Sequence, residues 1–71
     1  MNMVRISIGF TGGQVLSARV TTEALAALDA ARAAGGGWHQ LALEDGSLQL
    51  ELSQVAYVRV ESDELRVGFG A

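Results

Sequence analysis

The sequence predicts an α+β fold: an antiparallel, strongly curved sheet of five to six strands with one helix, in the order β-β-α-β-β-β-β. Three observations lead there. Residues 4–10, VRISIGF, alternate strictly between apolar and small or polar side chains, which is the pattern of a half-buried strand. One alanine-rich run, EALAALDAARAA, carries a helical spacing of leucines. The remaining valine- and leucine-rich segments are short and separated by glycine or acidic turns, so strands fall into groups on either side of the helix and antiparallel pairing is favoured.

Taken in order, Val4, Ile6, Ile8 and Phe10 share one face of the first strand, and Arg5, Ser7 and Gly9 the other. Thr11-Gly12-Gly13 provides a three-residue loop, and Gln14 to Val20 returns. With Phe10 opposite Gln14, Ile8 meets Leu16, Ile6 meets Ala18 and Val4 meets Val20. The same register sets Arg5 against Arg19, an unfavourable pairing of like charges that calls for an acid nearby. Thr21 or Thr22 caps a helix over residues 22–34, with Leu25, Leu28 and Ala31 as its apolar stripe and Ala24 and Ala27 alongside. Gly35-Gly36-Gly37 ends it. Because these glycines follow a helix instead of leading from a strand into one, they do not make a phosphate loop.

Trp38 to Glu44 and Ser47 to Leu52 flank Asp45-Gly46, a two-residue hairpin signal. Glu44 is expected opposite Ser47, with Leu43 against Leu48, Leu41 against Leu50 and His39 against Leu52 on the core face. Trp38, Gln40, Ala42, Gln49 and Glu51 then face outward. A tight helical turn at Ser53-Gln54 leads to a strand in which Ala56, Val58 and Val60 point inward and Val55, Tyr57 and Arg59 outward. Glu61-Ser62-Asp63-Glu64 is a polar turn, and Leu65-Arg66-Val67 an edge strand at which a neighbouring subunit has room to add its own.

Composition narrows the function. A chain of 71 residues is a single domain, spanning residues 1–71, and one this small has limited surface to bury. It has no Cys, so neither disulfide nor thiolate metal site is available to stabilise it. Charged residues make up 18% of the chain, below the roughly 25% usual for soluble domains, and hydrophobic ones 49%, which favours apolar surface shared between subunits. The net charge of −3 disfavours bulk binding of phosphate backbones. No signal peptide and no apolar run of the length that crosses a bilayer is present, so the expected location is cytoplasmic with no membrane association.

No catalytic, metal or cofactor site is predicted. His39 is the one side chain suited to proton transfer near neutral pH, and its place in a strand without a nucleophile motif suits a structural role. Glu44, Asp45 and Glu51 around one hairpin are accounted for by a turn and a solvated face. The outer face holds Arg5, Arg19 and Arg59 beside Tyr57, with Trp38 on the other hairpin. Arginine beside aromatics serves both single-stranded nucleic-acid platforms and protein interfaces. The expectation is a non-enzymatic, homo-oligomeric protein-interaction module in which Trp38, Val55, Tyr57 and Phe69 meet another subunit. The alternative is a ring-forming RNA- or single-stranded-DNA-binding protein in which Arg5, Arg19 and Arg59 contact phosphates.

At Val55-Ala56-Tyr57-Val58 and Arg66-Val67-Gly68-Phe69-Gly70, and in the first strand Val4-Arg5-Ile6-Ser7-Ile8-Gly9, the chain resembles a family of small actinobacterial proteins, the domain-of-unknown-function family numbered 3107. The resemblance follows element order and length through nearly the whole chain. Arg59 stands where that family usually carries an acid, and the Gly35-Gly36-Gly37-Trp38 lead into the second hairpin differs from it. The resemblance implies a small cytoplasmic protein of high-GC bacteria, with no activity or site residue to carry over.

Overall fold

The computed structural model describes residues 2–61, and the chain runs β1 (Met3–Phe10), β2 (Val15–Thr21), α1 (Thr22–Ala33), β3 (Trp38–Leu43), β4 (Gly46–Glu51), a 3₁₀ turn (Leu52–Gln54) and β5 (Val55–Glu61). The fold is α+β with one helix and antiparallel pairing among these residues. The predicted turn at 62–64, the edge strand Leu65-Arg66-Val67 and Phe69 lie outside the described residues. The single, strongly curved sheet does not form in the described part. Instead there are two ladders, β2-β1-β5 and β3-β4, turned toward one core.

The first hairpin has the expected register: Ile8 faces Leu16, Ile6 faces Ala18, Val4 faces Val20 and Arg5 faces Arg19. Its loop is closed by the Phe10 amide donating to the Gln14 carbonyl and the Gly13 amide to the Phe10 carbonyl, both at 2.9 Å. In an antiparallel ladder, alternate residues turn their main-chain groups toward the partner. The Phe10–Gln14 bond therefore commits Gln14, Leu16, Ala18 and Val20 to β1 and aims the amides and carbonyls of Val15, Ser17 and Arg19 at the opposite edge. At that edge the Arg19 carbonyl accepts from the Glu44 amide at 2.9 Å. This bond ties the tip of the second hairpin to the end of β2 without merging the two ladders.

The same bond accounts for a shift in the second hairpin. Glu44 does not pair with Ser47; Leu43 pairs with Gly46, Leu41 with Leu48, and His39 with Leu50, so the loop residues are Glu44 and Asp45. With its amide given to Arg19, Glu44 leaves the ladder. No described residue other than glycine has positive φ, so the loop is not the type I′ turn that Asp-Gly suggests. The slip preserves parity. Leu41, Leu43, Leu48 and Leu50 still face the core, and Trp38, Gln40, Ala42, Gln49 and Glu51 still face solvent.

The helix begins where Thr21, in extended conformation, accepts a hydrogen bond at Oγ1 from the Ala24 amide at 3.0 Å. Losing this cap in Thr21→Ala is expected to cost about 1 kcal/mol, read as a lower midpoint in urea denaturation. Leu28 is fully buried, with Ala24, Leu25 and Ala31 packed against the core; Ala27, on the rim of the stripe, is exposed. Gly35, Gly36 and Gly37 have φ of 116°, 107° and 93°, values that L side chains rarely adopt, and this run of left-handed residues stops the helix and leads into β3. The Leu52 amide donates to the Gly37 carbonyl at 2.8 Å and fastens the other end of the hairpin.

β5 pairs with β1, making β1 the central strand. Val58 lies opposite Ile8 and Val60 opposite Ile6, while Tyr57 and Arg59 lie opposite Gly9 and Ser7. Between Gly9 and Phe10 the register shifts, so that Phe10 is opposite Val55 and Ala56 is the extra residue. This bulge corrects two expectations. Val55 turns inward and is buried, while Ala56 is exposed. The core is Ile6, Ile8, Val20, Leu28, Leu41, Leu50, Leu52 and Val55.

Candidate interaction surface

Alternation along three paired strands gives the outer face of the β2-β1-β5 sheet a regular layout. Across one end run Arg19, Arg5 and Glu61; across the middle Ser17, Ser7 and Arg59; across the far end Val15, Gly9 and Tyr57. The acid required by the Arg5–Arg19 pairing is supplied from both sides. Glu61 is the partner of Arg5 in the ladder, and the Glu44 carboxylate lies 3.2 Å from Arg19 Nε. Both members of the latter pair are well exposed, so its contribution to stability is small. Ser7 is buried and its hydroxyl donates to the Glu61 carboxylate at 2.6 Å, which holds that acid against the sheet between Arg5 and Arg59.

At the far end the Tyr57 ring covers Gly9. A Cβ built on Gly9 would collide with Cε2, Cζ and Cδ2 of the ring, so glycine is what allows the phenol to lie over β1. Tyr57 is nevertheless 46% exposed, and neighbouring Val15 58%. Beside the opposite edge of β2, an open cleft of about 520 Å³ is lined by Leu16, Leu43, Arg19 and Glu44 among others.

The outer face of β3-β4 is built differently. It carries Trp38 opposite Glu51, Gln40 opposite Gln49 and Ala42 opposite Ser47, all exposed. Trp38 is 69% exposed, the most exposed large hydrophobic side chain described. The Glu51 carboxylate accepts a hydrogen bond from the Ser53 hydroxyl at 3.2 Å.

Among the predicted site residues, Arg5, Arg19, Arg59 and Tyr57 thus share one face, Trp38 occupies a second face across the core, Val55 belongs to the core, and Phe69 is outside the described residues. The sequence reading identified neither Glu61 nor Glu44 as the neutralising acids, although the Arg–Arg register demanded one. It also missed the exposure of Val60, which is 54% exposed despite sharing the Ile6 face. His39 is half-buried on the core side of β3. Among the described residues no three His, Cys, Asp or Glu side chains gather as metal ligands, and no helix is long and apolar enough to cross a membrane. Comparison with protein-family models, curated proteins and solved structures finds no match.

Proposed function

We propose that this chain is a small, non-enzymatic, cytoplasmic protein whose role is association, first with copies of itself and through that assembly with other proteins. One observation carries the reading. Among the described residues eight buried apolar side chains form the core, yet Trp38, Val15, Tyr57 and Val60 remain 46–69% exposed on strands. Aromatic residues and arginine are enriched where protein interfaces lose water, and a domain with so small a core gains stability by sharing apolar surface. The resemblance to the family numbered 3107 fits a compact bacterial protein of this kind and adds no activity. Light scattering on a size-exclusion column at micromolar concentration is expected to give a multiple of 7.4 kDa; a monodisperse 7.4 kDa species would overturn the proposal.

A second reading is favoured by one feature, the clustering of Arg5, Arg59 and Tyr57 on the outer face of a three-stranded sheet. A ring of subunits would repeat these side chains into a band able to stack bases and hold phosphates of RNA or single-stranded DNA. Glu61 and Glu44 beside the arginines, with a net charge of −3, weigh against it. Filter binding of an oligonucleotide over a salt series tests it. Retention at low salt that is lost in Arg59→Ala would support this reading, and no retention at low salt would remove it.

A further inference from the structure

The two outer faces carry complementary pairs of side chains. On the three-stranded sheet, Tyr57 and Arg59 sit two residues apart on one side of β5, which sets them roughly 7 Å apart along the strand. On the hairpin, Trp38 and Glu51 sit directly opposite each other, roughly 5 Å apart between strands. One face thus presents an aromatic ring with a cation, the other an aromatic ring with an anion, at similar spacing. Among the described residues neither charge has an ion-pair partner: the salt bridge present is Arg19–Glu44, and Glu51 is bonded only to the Ser53 hydroxyl. The faces point away from each other, since each sheet turns its apolar side to the same core.

We infer that the second copy in the assembly docks head to tail, its Trp38–Glu51 pair seated on the Tyr57–Arg59 pair of the first copy. Charge complementarity selects this occupant. Two hairpin faces would bring Glu51 against Glu51 and two sheet faces Arg59 against Arg59, whereas the mixed contact pairs Glu51 with Arg59 and lets the Trp38 indole pack on the Tyr57 ring and the guanidinium. Gly9 contributes by leaving room for the Tyr57 ring over β1, where the residue remains 46% exposed. Because the contact joins different surfaces, it repeats from copy to copy, and it closes into a ring or extends as a filament according to the rotation at each step. The inference rests on the self-association proposed above and specifies its geometry.

Charge reversal tests it. Arg59 and Glu51 are both exposed, so R59E and E51R are expected to keep the far-UV circular dichroism of the original chain, with a lower melting midpoint where the stabilising contact between copies is lost. Each variant alone then sets like charges against each other in every head-to-tail contact and is expected to elute as a monomer of 7.4 kDa at tens of micromolar. An equimolar mixture restores opposite charges at both faces of each copy. Assembly should return in the mixture, with a blue shift of the Trp38 emission relative to either variant alone. If the unmodified chain is itself monomeric, both this geometry and the self-association proposal are overturned. If the unmodified chain assembles and the single variants assemble equally well, or dissociate without recovering on mixing, the head-to-tail contact is overturned and self-association stands. Loss of oligonucleotide retention in R59E with no change in mass likewise overturns the contact and favours the nucleic-acid reading.

Discussion

Leu28→Ala is expected to lower the stability of the chain by about 3 kcal/mol, within the range measured for truncating a fully buried leucine. Leu28 is the only helical side chain with no exposed surface; its neighbours on the stripe are Leu25, which is half-buried, and alanines. A helix of 12 residues is marginal in isolation, so α1 depends on this anchor. Domains of this size have on the order of 5 kcal/mol in total. The variant should therefore retain only about 2 kcal/mol, a few per cent of the chain being unfolded before denaturant is added, with helix and sheet signals lost together at a much lower urea midpoint. Ala30→Ser, on the exposed side of the same helix, is expected to change the midpoint by no more than about 0.5 kcal/mol. Equal effects of the two substitutions would mean that the helix does not pack as described.

Val55→Asp is expected to be comparably severe, roughly 3 kcal/mol, through loss of apolar burial together with the cost of bringing a carboxylate into the core. The prediction isolates the bulge. Without the extra residue at Ala56, uninterrupted alternation from Tyr57 would set Val55 on the outer face, where an aspartate is tolerated. Val60→Asp provides the contrast, since Val60 is more than half exposed and the change there should cost about 1 kcal/mol, mainly in strand preference. Urea midpoints that rank these two variants in the opposite order would remove the bulge from the description.

Those two residues also mark where the sequence was and was not sufficient. Strict alternation in β1 with a glycine-rich loop specifies the register of the first hairpin residue by residue, because a slip of one would turn Ile6 and Ile8 to solvent. The helix and its cap were legible for the same local reasons. The second hairpin was legible only to its faces. Its loop position depends on a hydrogen bond between Glu44 and Arg19, residues far apart in sequence, and local turn chemistry carries no information about that. The bulge is likewise decided by the fit of β5 against β1, which no window of β5 contains. For the interaction surface, alternation placed Arg5, Arg19, Arg59 and Tyr57 each on the outward side of its strand, and the β1-β5 pairing brings them onto one face. Alternation did not single out Glu61 from the other acids, since that requires knowing that β5 lies beside β1.

The central position of β1 has a consequence for how the molecule is made. Its Ser7 and the Glu61 to which it bonds are 54 positions apart in the chain, so one edge of β1 has no partner until synthesis has passed β5. Without β5, a β1-β2 hairpin has an open backbone edge and an uncovered row of valine and isoleucine. Such a template recruits other strands. The charged side chains of Arg5 and Arg19, set against each other across the hairpin, give that nascent ribbon a local positive charge by which two unfinished chains repel one another.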